Sequence, residues 1–151
     1  MTDFIIVGTR SGLFYKDIFP YVLNGSITLG YTHRQNGGDT QFFFVSPNGK
    51  LKNVNESACW ITNIPIELDY IHPLTETYTP EKYPRFDNYD AINVDSIREI
   101  PKDYYDTMGV PIGFMNKYNP KQFEIVGKAH PTSINGVNKY IRILIRRKTD
   151  D

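Results

Sequence analysis

The 151 residues carry 17 Lys and Arg against 17 Asp and Glu, so net charge argues for no partner and any nucleic-acid surface must come from local clustering. Cys59 is the single cysteine, which excludes an internal disulfide. No apolar run reaches the roughly 18 residues of a membrane span and no basic-then-apolar leader opens the chain, so a soluble, cytoplasmic protein with no membrane partner is expected.

FIIV at residues 4–7 is a continuous apolar run of strand length, the pattern of a strand buried on both faces in a parallel sheet. It runs into a turn containing Gly8 and Gly12, with Ser11 placed to cap a helix. Leu13, Phe14, Ile18, Tyr21 and Val22 recur at helical spacing and predict a helix over 13–23, with Pro20 as its flaw and Asn24-Gly25 as its stop. Residues 26–31 read as the next strand. The loop THRQNGGD at 32–39 separates them from TQFFFVSPNG, which predicts a hairpin with an enlarged tip. ACWITNIP at 58–65 predicts another strand.

Residues 67–90 are rich in Pro and Tyr, and each X-Pro pair biases its first residue toward extended backbone. An ordered loop is expected there, anchored by Tyr70, Tyr78, Tyr83, Phe86 and Tyr89. Residues 91–94 form a candidate short strand and 119–127 a turn into a strand. NKYIRILIRRK at 138–148 alternates apolar and basic residues, as a half-buried final strand does. The expected architecture is α/β: strand, helix, strand and hairpin over 1–65, then a loop-rich α+β extension over 66–151, within a single partial domain.

The Gly8–Gly12 turn raises the question of a cofactor cradle, since a helix N-terminus behind glycines offers free N–H groups to an anion. The following strand ends in LGYTHR without the acid that takes ribose hydroxyls, so an ordinary strand-to-helix turn fits better. His33, His72, His130 and Cys59 lack the i, i+3 or i, i+4 spacing of metal ligands, so no metal is expected. Cys59, inside an apolar strand, reads as a buried structural thiol rather than a nucleophile. Asp87, Asp90 and Asp95 are candidates for an acid pair, though their tyrosine-rich context points to a hydrogen-bonded loop framework. No catalytic residue is assigned.

The basic features carry more. Arg142, Arg146, Arg147 and Lys148 place four cations on one short strand, as phosphate contacts or as the charge that protects a sheet edge. Arg34, Gln35 and Asn36 are side chains suited to base edges, and Phe42 and Phe44 offer rings for stacking.

YPRFDNYDAINVDSIREIPKDYYDTMGVPIGFMNKYNPKQFEIVG, at 83–127, resembles the EcoRI-type adenine-specific DNA methyltransferase family, and FIIVGTRSGLFYKDIFPYVLNGSITLGY, CWITNI and INGVNKYIRILIRRK extend the likeness over nearly the whole chain. The resemblance implies a Rossmann-like class I methyltransferase sheet with FIIVGT as its fifth strand, so that Gly8 is not the cofactor loop. Family enzymes bind S-adenosylmethionine through an F-x-G-x-G-like turn and act at an N-P-P-F-type motif, and the chain contains neither. TNIP at 62–65 and DNYD at 87–90 are no substitutes. The implied function is the C-terminal, target-recognition portion of a restriction–modification adenine-N6 methyltransferase. Such a portion is inactive and cofactor-free alone, with DNA and a separate N-terminal half as partners and self-association open. The alternative is a non-catalytic interaction protein or a truncated remnant in a mobile element.

Overall fold

The computed structural model of the chain describes residues 2–30, 43–53, 58–67 and 71–149. They fall into two compact units, Met1–Tyr70 with Met115–Lys117, and Ile71–Phe114 with Tyr118–Asp151. The architecture is α/β with mixed sheets and few helices.

In the first unit β1 (Ile5–Thr9) leads into a 3-10 helix, Arg10–Phe14, and then α1 (Phe19–Leu23). β2 (Thr28–Leu29), β3 (Phe43–Val45), β4 (Leu51–Asn53) and β5 (Ala58–Thr62) follow. β5 is the middle strand of a three-stranded antiparallel sheet of order β1-β5-β2, with Ile5 opposite Thr62 and Thr9 opposite Ala58. The start of β1 is pinned by side chains, since Asn63 Oδ1 accepts from Phe4 N at 2.8 Å and Thr62 Oγ1 donates to Phe4 O at 2.7 Å.

Four expectations change here. β1 is not doubly buried in a parallel sheet: its described neighbour is antiparallel, and Ile5, Ile6 and Val7 are 60%, 52% and 56% exposed. The helix over 13–23 is split, because Pro20 has no N–H and its ring excludes the carbonyl of a preceding turn, so it sits in the first turn of a five-residue α1. Ser11 is not a cap. It lies inside the 3-10 helix, its hydroxyl 3.0 Å from that of Thr9. The hairpin also differs: β3 pairs with β4 around a turn at Ser46–Lys50, where Gly49 takes φ +77°, while β2 pairs with β5. The core of this unit includes Leu13, Phe14, Phe19, Val22, Leu29 and Cys59, with the Phe14 and Phe19 rings 5.7 Å apart.

The second unit is built on β6 (Ile92–Asn93), β7 (Met108–Pro111), β8 (Phe123–Ala129) and β11 (Arg142–Arg147), in the order β6-β7-β11-β8. β6 runs parallel to β7 and the other pairs are antiparallel, with a bulge where β8 meets Leu144 and Ile145. The residues expected to form one final strand make two. β9 (Thr132–Ile134) and β10 (Val137–Lys139) close a separate hairpin over Asn135 and Gly136, both at positive φ, and β11 begins after it. That Asn-Gly pair suits a turn in which both central residues must take φ above zero.

β11 buries Ile143 and Ile145 on one face, beside Met108 and Val110 of β7 and Ile125 of β8. On the other face Phe86 packs onto Gly109, where an added Cβ would lie 2.5 Å from Phe86 Cε2. Over its described residues, 71–90, the proline- and tyrosine-rich segment is anchored by its aromatic side chains. Tyr83 is buried and donates to Glu99 O at 2.7 Å, Tyr78 stacks on Tyr83 at 5.9 Å, and Phe86 joins a cluster with Ala91 and Ile134. Tyr70 lies outside the described residues.

Candidate nucleic-acid interface

The basic strand separates its cations by alternation. Arg142, Leu144, Arg146 and Lys148 share one face, and Ile143, Ile145 and Arg147 the other. Arg142 is turned inward, 7% exposed, with Nε donating to Asn93 Oδ1 at 3.2 Å and Nη2 3.7 Å from Asp95 Oδ1. Asn93 Nδ2 in turn donates to Asp95 Oδ1 at 2.7 Å. Burial lowers the Arg142 pKa and the Asp95 carboxylate opposes that shift. Of the four cations placed on this strand, Arg142 is thereby held inward by Asn93 and Asp95. Its register explains this: Arg142 lies opposite Pro111 and Ala129, on the covered part of the sheet face.

Arg146 is exposed, and its Nε donates to Thr107 Oγ1 at 3.1 Å, which fixes the start of the guanidinium while leaving its outer edge toward solvent. Arg147 lays its guanidinium 4.7 Å from the centroid of the Tyr105 ring. Its Nε and Nη1 are buried without a hydrogen-bond partner among the described residues. Lys148 donates its backbone N–H to Gln122 O at 2.9 Å and exposes its side chain. The end of β11 thus carries three cations, of which Arg146 and Lys148 are exposed.

The strand is no charged sheet edge. β7 and β8 flank it on both sides, so these cations do not serve to block edge pairing. Tyr105 and Thr107, which orient the two arginines, were not singled out in the sequence. Their signal is the segment DYYDT leading into β7, which becomes meaningful only with the β7–β11 register.

Arg34, Gln35, Asn36, Phe42 and His33 lie outside the described residues. Phe44 is within β3, its backbone opposite Lys52. Gly8 lies inside β1 rather than in a turn, and an added Cβ there would sit 2.9 Å from Ile61 Cδ1. Cys59 is buried and its thiol is pushed up to about 11 by burial, which leaves no thiolate near neutrality. The three carboxylates form a framework rather than an acid pair. Asp87 accepts from Asn135 N and Gly136 N at 2.9 Å each, Asp90 binds Arg85, and Asp95 serves Asn93. Among the described residues no group of three or more His, Cys, Asp or Glu is arranged for a metal ion.

The family described as the adenine-specific methyltransferase EcoRI matches residues 1–133. The chain belongs to that family. Among curated relatives of the family, it is 34% identical over 166 residues to the type II methyltransferase M.EcoRI of Escherichia coli, covering 96% of this chain and 50% of that protein. It is 30% identical over 183 residues to the type II methyltransferase M.MgeORF184P of Mycoplasma genitalium, covering 97% and 57%. A third relative, M.MpnI of Mycoplasma pneumoniae, is 28% identical over 185 residues, with the same coverage of both chains. The chain spans about half the length of the curated relatives it matches. No solved structure matches it. Among the described residues no helix is long and apolar enough to cross a membrane.

Proposed function

We propose that this chain is the C-terminal, DNA-target-recognition portion of a restriction–modification adenine-N6 methyltransferase, cytoplasmic and inactive until joined by the half that carries the cofactor and catalytic motifs. The observation that carries this reading, beside family membership, is the cationic end of β11, where Thr107 and Tyr105 hold Arg146 and Arg147 ready for phosphate. In the complete enzyme S-adenosylmethionine supplies the methyl group, while the residues of this chain position the duplex. Arg34, Gln35 and Asn36 then read base edges, and a ring of Phe42 or Phe44 stacks on a base.

The free edge of β1 favours a strand from that other half as its neighbour. Ile5, Ile6 and Val7 are each more than half exposed, and among the described residues no strand pairs with their outer edge. The same edge is what a non-catalytic interaction protein would present, so it also supports the second reading. Titration calorimetry separates them. The chain alone gives no saturable S-adenosylmethionine binding at micromolar ligand, and mixing it with the N-terminal half of a relative restores methyl transfer to duplex DNA. Cofactor binding by the chain alone, or a mixture that stays inactive although the halves associate, contradicts the proposal.

A further inference from the structure

At the end of β11 a cation stands between a hydroxyl on one flank and a carboxylate on the other. Past the bulge, where Val126 of β8 has no counterpart on β11, the register places Arg146 directly opposite Glu124. Without that bulge Arg146 would face Ile125, a buried apolar side chain. Residues directly opposite in an antiparallel pair point to the same side of the sheet with Cβ atoms about 4.5–5.5 Å apart, so the exposed Glu124 carboxylate lies within reach of the exposed guanidinium. On the other flank Met108 of β7 pairs with Ile145, which brings Thr107 beside Arg146. The guanidinium is turned that way. Its Nε donates to Thr107 Oγ1 at 3.1 Å, and among the described residues Arg146 forms no ion pair with a carboxylate. Thr107 is itself fixed, because its carbonyl accepts from Ile92 N at 3.2 Å.

We propose that Thr107 is a positioning residue for DNA-backbone contact: its hydroxyl holds Arg146 on the β7 side of the sheet and keeps the guanidinium from pairing with Glu124. A hydrogen bond to a hydroxyl and an exposed ion pair are both weak and of similar size, so removing the hydroxyl is enough to tip the side chain from one partner to the other. The consequence is read at the phosphate. A guanidinium already paired with a carboxylate is neutralised and displaces no further counterion from DNA, whereas one bonded through Nε to a neutral hydroxyl keeps its charge and its Nη donors for a phosphate. Lys148, exposed on the same face two residues on, offers a second cation to the same backbone. The inference rests on the DNA-recognition reading above and deepens it, naming the residue that makes one cation of β11 available and the carboxylate that competes for it.

The test is fluorescence anisotropy of the chain on a labelled duplex across a salt series, with melting temperatures to establish that each variant folds. R146A should lower the log–log salt slope by about one, and T107V should lower it by nearly as much although the arginine is still present. T107S, which keeps the hydroxyl, should bind as wild type. E124Q should change the slope little by itself and should return T107V to the wild-type slope, a coupling that a merely structural role for Thr107 would not produce. If T107V melts too early to measure, T107A carries the same comparison. A wild-type slope in T107V beside a lowered one in R146A, a T107S slope as low as that of T107V, or an equal effect of E124Q in both backgrounds overturns the inference and leaves the broader reading standing. If R146A keeps the wild-type slope, or the unaltered chain binds no duplex, that reading falls at this strand and the inference falls with it.

Discussion

Among the described strands, the apolar β1 lies at a sheet edge and the most basic one lies inside a sheet. β1, IIVGT, has one described neighbour and more than half of each large side chain in solvent. β11, RILIRR, is paired on both sides and buries Ile143 and Ile145 completely. Composition along a strand therefore does not set its place in the sheet. The number of strands paired with it does.

Substitution should invert what composition suggests. Ile145→Ala in β11 removes a fully buried side chain among Met108 and Ile125 and should cost about 2–5 kcal/mol by urea denaturation. Ile6→Ala in β1 should stay within about 0.5 kcal/mol for the chain alone. Similar losses at the two positions would break the comparison.

Within β11 the cations should divide in the same way. Arg142→Ala leaves Asn93 Oδ1 without its donor and should cost about 1–3 kcal/mol of stability while leaving the salt slope of DNA binding unchanged. An Arg142→Ala variant as stable as wild type would show that the inward network contributes nothing.

The smallest effect concerns acid. The Gly136 N–H first, then the Ser133 hydroxyl and the Asn135 N–H, hold the Asp87 carboxyl below the ordinary aspartate value. A lowered folded pKa gives stability that is fully present above the unfolded value and lost as pH falls through the folded one. Asp87→Asn should therefore flatten the acid side of the stability profile below about pH 4, read by thermal melts. An unchanged profile would show that the hairpin tip is not held by that charge.

Local pattern was legible where neighbours in sequence decide the outcome. ACWIT made β5, Tyr83 and Phe86 anchored their segment, and Cys59 went inside an apolar strand. What could not be read depends on partners distant in the chain. Arg142 and Arg146 look alike in sequence, and only pairing with β7 and β8 shows that one faces Asn93 and the other Thr107. The 138–148 run hid a break after Lys139, because the hairpin turn at Asn135-Gly136 precedes it and claims its first residues. Pro20 carried the correct warning about the helix, and its place in the first turn of α1 follows from the missing N–H.

The central claim is that the end of β11 binds DNA backbone, and a salt series of duplex binding by anisotropy tests it most directly. R146A/R147A should bind every duplex more weakly, with a log–log slope lower by up to about 2, one for each phosphate that the variant no longer neutralises. Wild-type affinity and slope in that variant, with its fold intact, would contradict the account.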